Sequence, residues 1–200
     1  MKMRFQKVEL RGLIADLYDT FAQAAANKNI NFTFRSEGCD DLEACVDLSS
    51  FDKIVMNLLS NAIKFTPNGG NVDITLSKGN DASPQGMGEY AEITVTDSGI
   101  GIAKEEREKV FVRFYQAANN NTSGTGIGLH LTHSLVQMHH GSIVIEDNPD
   151  GQGTRFVVRL PLLQECDTAS NPQVEQQKAQ EERQRARAIA ADEASTPQAD

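Results

Sequence analysis

The 200-residue chain has no tryptophan, only three cysteines, and no apolar run approaching the ~20 residues that span a bilayer. Its N-terminus also lacks the short apolar core of a secretory signal, so neither a membrane span nor export is expected. Cys39, Cys45 and Cys166 fall in no C-x-x-C spacing and leave an odd one over. That excludes a disulfide framework and is too few ligands for zinc, so they read as reduced thiols of a cytoplasmic protein. Positive charge is scarce too: 19 Lys and Arg stand against 28 Asp and Glu, a formal net charge of -9. Such a surface repels phosphate backbones, so nucleic acid and direct membrane contact are not expected.

Apolar residues thin out after Leu163. From Gln164 to Asp200 only Val174 and Ile189 represent Leu, Ile, Val and Phe. Burial there cannot offset an ordering entropy of roughly 1–2 kcal/mol per residue. Gln176 to Ala190 nevertheless has high helix propensity. The expected organisation is one folded domain over 1–163, monomeric in isolation, and a polar linker or tail, disordered or helical, over 164–200.

What remains is mixed. Val8 to Lys28 has helical spacing of apolar residues, and Ile30 to Arg35 alternates like a strand, with a short strand at Ala44 to Asp47. A second helix is expected from Ser49, with Asp52 as capping-box partner, to about Phe65, where Pro67-Asn68-Gly69-Gly70 breaks it. Asn71 to Ser77 and Tyr90 to Thr96 alternate as strands. A helical patch at Ala103 to Phe111 and a third helix from about Thr125 to His139 follow. Ser142 to Asp147 and Gly153 to Leu160 close the domain as a hairpin. Helices are too few for a doubly wound parallel sheet, and a sheet with helices on one face fits better.

Four segments carry chemistry. On the second helix Ile54, Leu58, Asn61 and Phe65 share a stripe, flanked by Asn57 and Lys64. A carboxamide on an apolar stripe is either a buried amide bonded to backbone or a neutral oxygen ligand suited to Mg²⁺, with Lys64 one turn on for phosphate. Asp97-Ser98-Gly99-Ile100-Gly101-Ile102 ends a strand. It is a turn, or a carboxylate accepting from an exocyclic amine while glycines let the backbone approach a planar ring. Gly124-Thr125-Gly126-Ile127-Gly128-Leu129 opens a helix, whose unpaired N–H groups suit an anion. It is not a P-loop, which needs a Lys, nor a dinucleotide fingerprint, which needs a preceding hydrophobic strand. Val110 to Gln116 places aromatics in a long loop, as a patch beneath it or as a lid over a ligand.

In this order the segments resemble the N, G1, F and G2 boxes of the catalytic, ATP-binding domain of bacterial two-component sensor histidine kinases. NLLSNAIKFT, DSGIGI, VFVRFYQ and GTGIGL carry the likeness, and the Gly151 to Pro161 strand and His140-Gly141 extend it over about 1–161. The superfamily also holds gyrase-type topoisomerases, mismatch-repair ATPases and a heat-shock chaperone. The resemblance implies the Bergerat ATP-binding fold, an α/β two-layer sandwich with a mixed sheet and three helices on one face, and ATP and Mg²⁺ as cofactors. It implies that Asn61 holds Mg²⁺, with Asn57 contacting phosphate or supporting that geometry, Lys64 on phosphate and Phe65 against adenine or ribose. Asp97 would bond the adenine amine, with Gly99, Gly101 and Ile102 shaping the pocket. Gly124, Thr125, Gly126, Ile127, Gly128 and Leu129 would hold the triphosphate. The lid would run from Ala103 to Ser123, anchored by Phe111 and Phe114.

The family phosphorylates a histidine on a preceding dimerisation domain and passes the phosphate to a response-regulator receiver domain. None of His130, His133, His139 and His140 has the sequence context of that acceptor, so this chain is expected to bind ATP without autophosphorylating. Two alternatives stand beside the kinase. A self-contained ATPase of the superfamily carries a glutamate where this chain has Asn57, which cannot take a proton at neutral pH. A degenerate nucleotide-binding module is the other.

Overall fold

A computed structural model describes residues 3–116, 126–162, 166, 180 and 183–191. The chain opens with β1 (Phe5–Glu9) and α1 (Leu10–Asn27), then β2 (Asn31–Ser36), β3 (Glu43–Asp47) and α2 (Leu48–Phe65). The strands β4 (Asn71–Asp81) and β5 (Gly88–Asp97) follow, then two 3₁₀ turns at Lys104–Glu106 and Lys109–Phe111. The helix α3 (Gly128–Met138) and the strands β6 (Ser142–Asp147) and β7 (Thr154–Pro161) complete the order.

Five strands form one mixed sheet in the order β2-β4-β5-β7-β6, parallel only between β2 and β4, and β1 pairs with β3 in a separate antiparallel ribbon. Alternation sorts the sheet into two faces. Ile74 lies opposite Val95, Leu76 opposite Ile93, and these meet Phe156 and Val158 on β7, all at most 4% exposed. Their neighbours on the other face are mostly polar, Arg35 pairing with Asp73 and Arg159 with Glu92, although Val157 is buried there. Only the apolar face needs cover, which α1, α2 and α3 supply through Ile14, Leu17, Phe21, Ile54, Leu58, Leu135 and Val136. Burying each such side chain contributes about 1.5–3 kcal/mol. The expected sandwich is the one observed.

Several boundaries differ for local reasons. Val8 belongs to β1, because Phe5 to Glu9 pairs residue by residue with Asp47 to Glu43, and Glu9 then caps α1 through the N–H groups of Arg11 and Gly12. The α2 cap is Asp47, whose Oδ1 accepts from the Ser50 N–H at 2.9 Å. Asp52 is therefore no capping-box partner. At the other end Lys28 Nζ donates to the carbonyls of Ile63 (2.7 Å) and Lys64 (3.2 Å), satisfying acceptors that a helix leaves open. Cys45 and Cys166, 121 residues apart, form a disulfide, and Cys39 is buried and free. This corrects the reading of three reduced thiols, since a pairing across the fold leaves no trace in local spacing.

His139 locks α3 to the start of α2. It is 2% exposed, its Nε2 accepts from the Asp47 N–H (3.2 Å), and its Nδ1 lies 2.7 Å from the Leu135 carbonyl, to which it donates. Both ring nitrogens are thus used by the neutral imidazole. Burial pulls its pKa below the ordinary histidine range. A group whose folded pKa is depressed contributes stability above its unfolded pKa, about 6.5, and loses it as pH falls below that. Thermal melts between pH 7.5 and 5.5 should show wild type losing more stability than His139→Gln, which cannot titrate. Parallel profiles would remove His139 as the cause.

Candidate nucleotide-binding site

Three of the four segments meet at α2. Its middle carries Asn57 and its last turns Asn61, Lys64 and Phe65, all partly exposed along the rim of a helix whose other faces are buried. Asn57 Nδ2 donates to the Gly128 carbonyl (3.2 Å) and to Thr132 Oγ1 (3.1 Å), tying α2 to the first turns of α3. A Cβ at Gly128 would lie 3.8 Å from that carboxamide. Among the described residues the Asn61 carboxamide makes no hydrogen bond. Lys64 Nζ lies 5.3 Å from the Phe65 ring centroid.

The loop after β5 abuts the C-terminal end of α2. A Cβ on Gly99 would come within 2.5 Å of the Phe65 carbonyl oxygen, so only glycine fits there. Asp97, 5% exposed, directs Oδ1 to the N–H groups of Gly99 (2.9 Å) and Thr154 (3.3 Å). Among the described residues no donor reaches Oδ2. Burial pushes the carboxyl up to about 6, and the two N–H bonds pull against that shift without cancelling it. Gly101 holds a φ of +77° beside the Gly153 carbonyl, and Ile102 packs on the core.

At the opening of α3, Ile127 provides no side-chain cap, so the first N–H groups of this 11-residue helix have no side-chain cap among the described residues. Gly126, at φ +64°, accepts from the Phe114 N–H through its carbonyl (2.9 Å). Leu129 packs on the core, whereas Ile127 is 37% exposed. Gly124 and Thr125 lie outside the described residues, as does the lid segment Asn119 to Ser123. Of the two expected anchors, Phe111 has its carbonyl 3.0 Å from His130 Nδ1 and its ring 5.3 Å from His133. Phe114, at a φ of +66°, is 64% exposed with Arg113 over its ring.

Sequence reasoning passed over three supporting residues. Thr132, fully buried, receives Asn57 and donates to the Gly128 carbonyl (2.9 Å). Asn148 Nδ2 donates to the Asp97 carbonyl (3.0 Å). Thr66, at the end of α2, has a buried hydroxyl with no partner among the described residues. Only Thr132 left a sequence signal, a polar residue on the buried stripe of α3.

Residues 46–164 match the family described as histidine kinase-, DNA gyrase B-, and HSP90-like ATPase. Sensor histidine kinase TmoS of Ectopseudomonas mendocina is 38% identical over 165 residues, 81% of this chain and 16% of its own length. Histidine protein kinase DivJ of Caulobacter vibrioides is 40% identical over 134 residues, 66% of this chain and 21% of its own. The chain therefore spans about a fifth of these curated relatives. Among solved structures, the nucleotide-free catalytic domain of histidine kinase ThkA superposes with a TM-score of 0.67 at 28% identity, covering 80% of this chain and 99% of that one. The same kinase has been solved in complex with response regulator protein TrrA (TM-score 0.64, 26% identity, 80% and 42% covered). With this match over more than half of its length and the sheet and three helices described above, this chain belongs to the family of histidine kinase-, DNA gyrase B- and HSP90-like ATPases.

Proposed function

We propose that this domain binds Mg²⁺-ATP and donates the γ-phosphate to a histidine on a separate dimerisation and phosphoacceptor domain, from which a response-regulator receiver domain takes it. The carrying observation is the convergence on α2: the Asp97 loop abuts its C-terminal end while Asn57 ties its middle to Gly128. In this reading Asp97 Oδ2 accepts from the adenine amine, Phe65 packs on adenine or ribose, and Gly99, Gly101 and Ile102 shape the pocket. Lys64 and the N–H groups from Gly124 to Leu129 hold the triphosphate. Asn61 offers Mg²⁺ one neutral oxygen. Among the described residues no group of three or more His, Cys, Asp and Glu could hold a metal ion, so phosphate oxygens and water must complete the shell. Bound Mg²⁺ would supply the positive charge that phosphate oxygens require.

Asn57 favours the kinase over the self-contained ATPase. Its amide takes no proton at neutral pH, and its N–H₂ group is already committed to Gly128 and Thr132. Three of the chain's four histidines serve poorly as acceptors, because His139 is buried and His130 and His133 pack around Phe111. Among the described residues no helix is long and apolar enough to cross a membrane. Incubation with labelled ATP and a separately expressed phosphoacceptor domain should place label on that domain's histidine, with hydrolysis by the chain alone near background. Steady hydrolysis at the ~1–10³ s⁻¹ typical of enzymes, without transfer, would establish the ATPase instead.

A further inference from the structure

The first half of α2 holds a carboxylate that the nucleotide site does not use. Asp52 is 2% exposed, on the stretch of α2 preceding Asn57. A carboxylate buried that far is very costly unless paired and hydrogen-bonded. Its partner comes from the segment that reads as a solvated tail. Arg183 Nε lies 2.5 Å from Asp52 Oδ2 and Nη2 lies 3.1 Å from Oδ1, a two-pronged guanidinium–carboxylate pair. Arg187 follows one turn on, with Nη2 3.6 Å from Asp52 Oδ1 and Nη1 3.9 Å from Asp16 Oδ2.

Residues 183–191 are helical, and Ala186 and Ala190 pack against the core beside the two arginines. Arg183, Ala186, Arg187 and Ala190 recur at i, i+3, i+4 and i+7, one face of a helix, while Ile189 on the other side is 60% exposed. Alanine on that face lets the helix approach closely. Fixed acceptors below it select guanidinium over ammonium, which lacks the planar fork. The groove of about 260 Å³ lined by Asp16, Asp19, Gln180, Arg183, Gln184 and Arg187 is the open side of this seam.

We propose that α1 and the start of α2 form a helix-docking surface, read out by the buried carboxylate of Asp52, and that its occupant is this chain's own segment 183–191. The surface fits an alanine-faced helix with arginines four residues apart, and the folded unit extends past residue 163. The inference is independent of the nucleotide reading.

The disulfide at Cys166 contributes little to holding the segment in place. Cys166 lies 17 residues before Arg183, and the end of β7 at Pro161 lies 22 before it. Shortening the tether by that much raises the effective concentration of the helix only about 1.5-fold. The ion pair, not the bridge, carries the specificity. Arg187 has Nε and Nη2 buried without a hydrogen-bond partner among the described residues, so Arg183 is the dominant half.

Hydrogen exchange on the full chain tests this. In wild type, amides of 187–191 should be protected at least about 100-fold over unfolded rates. Asp52→Asn should bring them to within about threefold of unfolded rates, with the central strands β5 and β7 still protected. If that variant fails to fold, Arg183→Lys, placed on the tail, should show the same loss, and Arg187→Lys a smaller one. Reduction of the disulfide should change protection less than twofold. Protection absent in wild type, unchanged by both Asp52→Asn and Arg183→Lys, or abolished by reduction alone would overturn the proposal. Protection that appears only on raising protein concentration would mean docking onto a second copy, and would overturn the intramolecular occupant.

Discussion

Asp97→Asn should weaken ADP binding about 100-fold and at the same time raise the melting temperature of the nucleotide-free protein. Both effects come from one atom. Asparagine can keep Oδ1 on the Gly99 and Thr154 N–H groups, but it replaces the acceptor Oδ2 with an N–H₂ donor. A donor facing the adenine amine loses the bond and leaves a buried polar group unpaired, a combined penalty of about 2–3 kcal/mol. Stability moves the other way. With the folded pKa near 6 against about 3.9 unfolded, the folded state holds the proton more tightly, so the favourable contribution exists at low pH and disappears as pH rises through 6. Above pH 6 the buried charge costs up to about 3 kcal/mol, which the neutral amide recovers, up to about 6–12 °C for a chain of this size. Calorimetric titration with ADP and melts at pH 5 and 8 check both halves. Unchanged affinity would remove Asp97 from the adenine site, and an unchanged melting temperature at pH 8 would show that its charge is better solvated than its surroundings indicate.

The second large effect is expected at Gly153. Its φ is +132°, and a Cβ there would sit 1.8 Å from the Asp97 carbonyl oxygen, 2.7 Å from its carbon and 2.9 Å from Ser98 Cα. All three are backbone, so no side chain can swing aside. Gly153→Ala should cost at least 3–4 kcal/mol, combining backbone strain of about 1–3 kcal/mol with displacement of the β5–β7 pairing. Gly151 is the control: φ is +138°, but a Cβ would meet nothing within 4 Å. Gly151→Ala should show the strain alone. Equal loss in denaturant titrations of the two variants would mean that the strand end yields to the clash. Because Gly153 props the carbonyl of the residue proposed to read adenine, its variant should also lose ADP binding where it still folds.

The parts legible in the sequence were those set by local rules. Helix α2 announces itself by a strong apolar stripe and a Pro-Asn-Gly-Gly stop, and β4, β5, β6 and β7 by alternation and turns. β1 was hidden because Val8 continues the spacing of the helix that follows, and only its pairing with β3 makes the segment extended. Asp52 fitted a capping box as well as an ion pair, since the partner lies 131 residues away. The same holds for Cys45 with Cys166 and for His139 with Asp47. Of the site, residue types and order could be read directly. That Asn57 is tied to α3, and that Phe114 is exposed, required backbone directions that composition does not encode.

The pairing of Asp97 with Thr154 has a consequence for how such domains diversify. These neighbours in the sheet are 57 residues apart in sequence, and the excursion that leaves the β5 end carries the proposed lid before the chain returns to the sheet through α3 and β6. Lengthening that excursion by ten residues raises its closure entropy by only about 0.1 kcal/mol, because the term grows with the logarithm of loop size. The sheet is thus nearly indifferent to lid length. Insertions and deletions there can be sampled by drift with almost no effect on foldedness, so selection on that stretch is left to act on timing and partner choice alone.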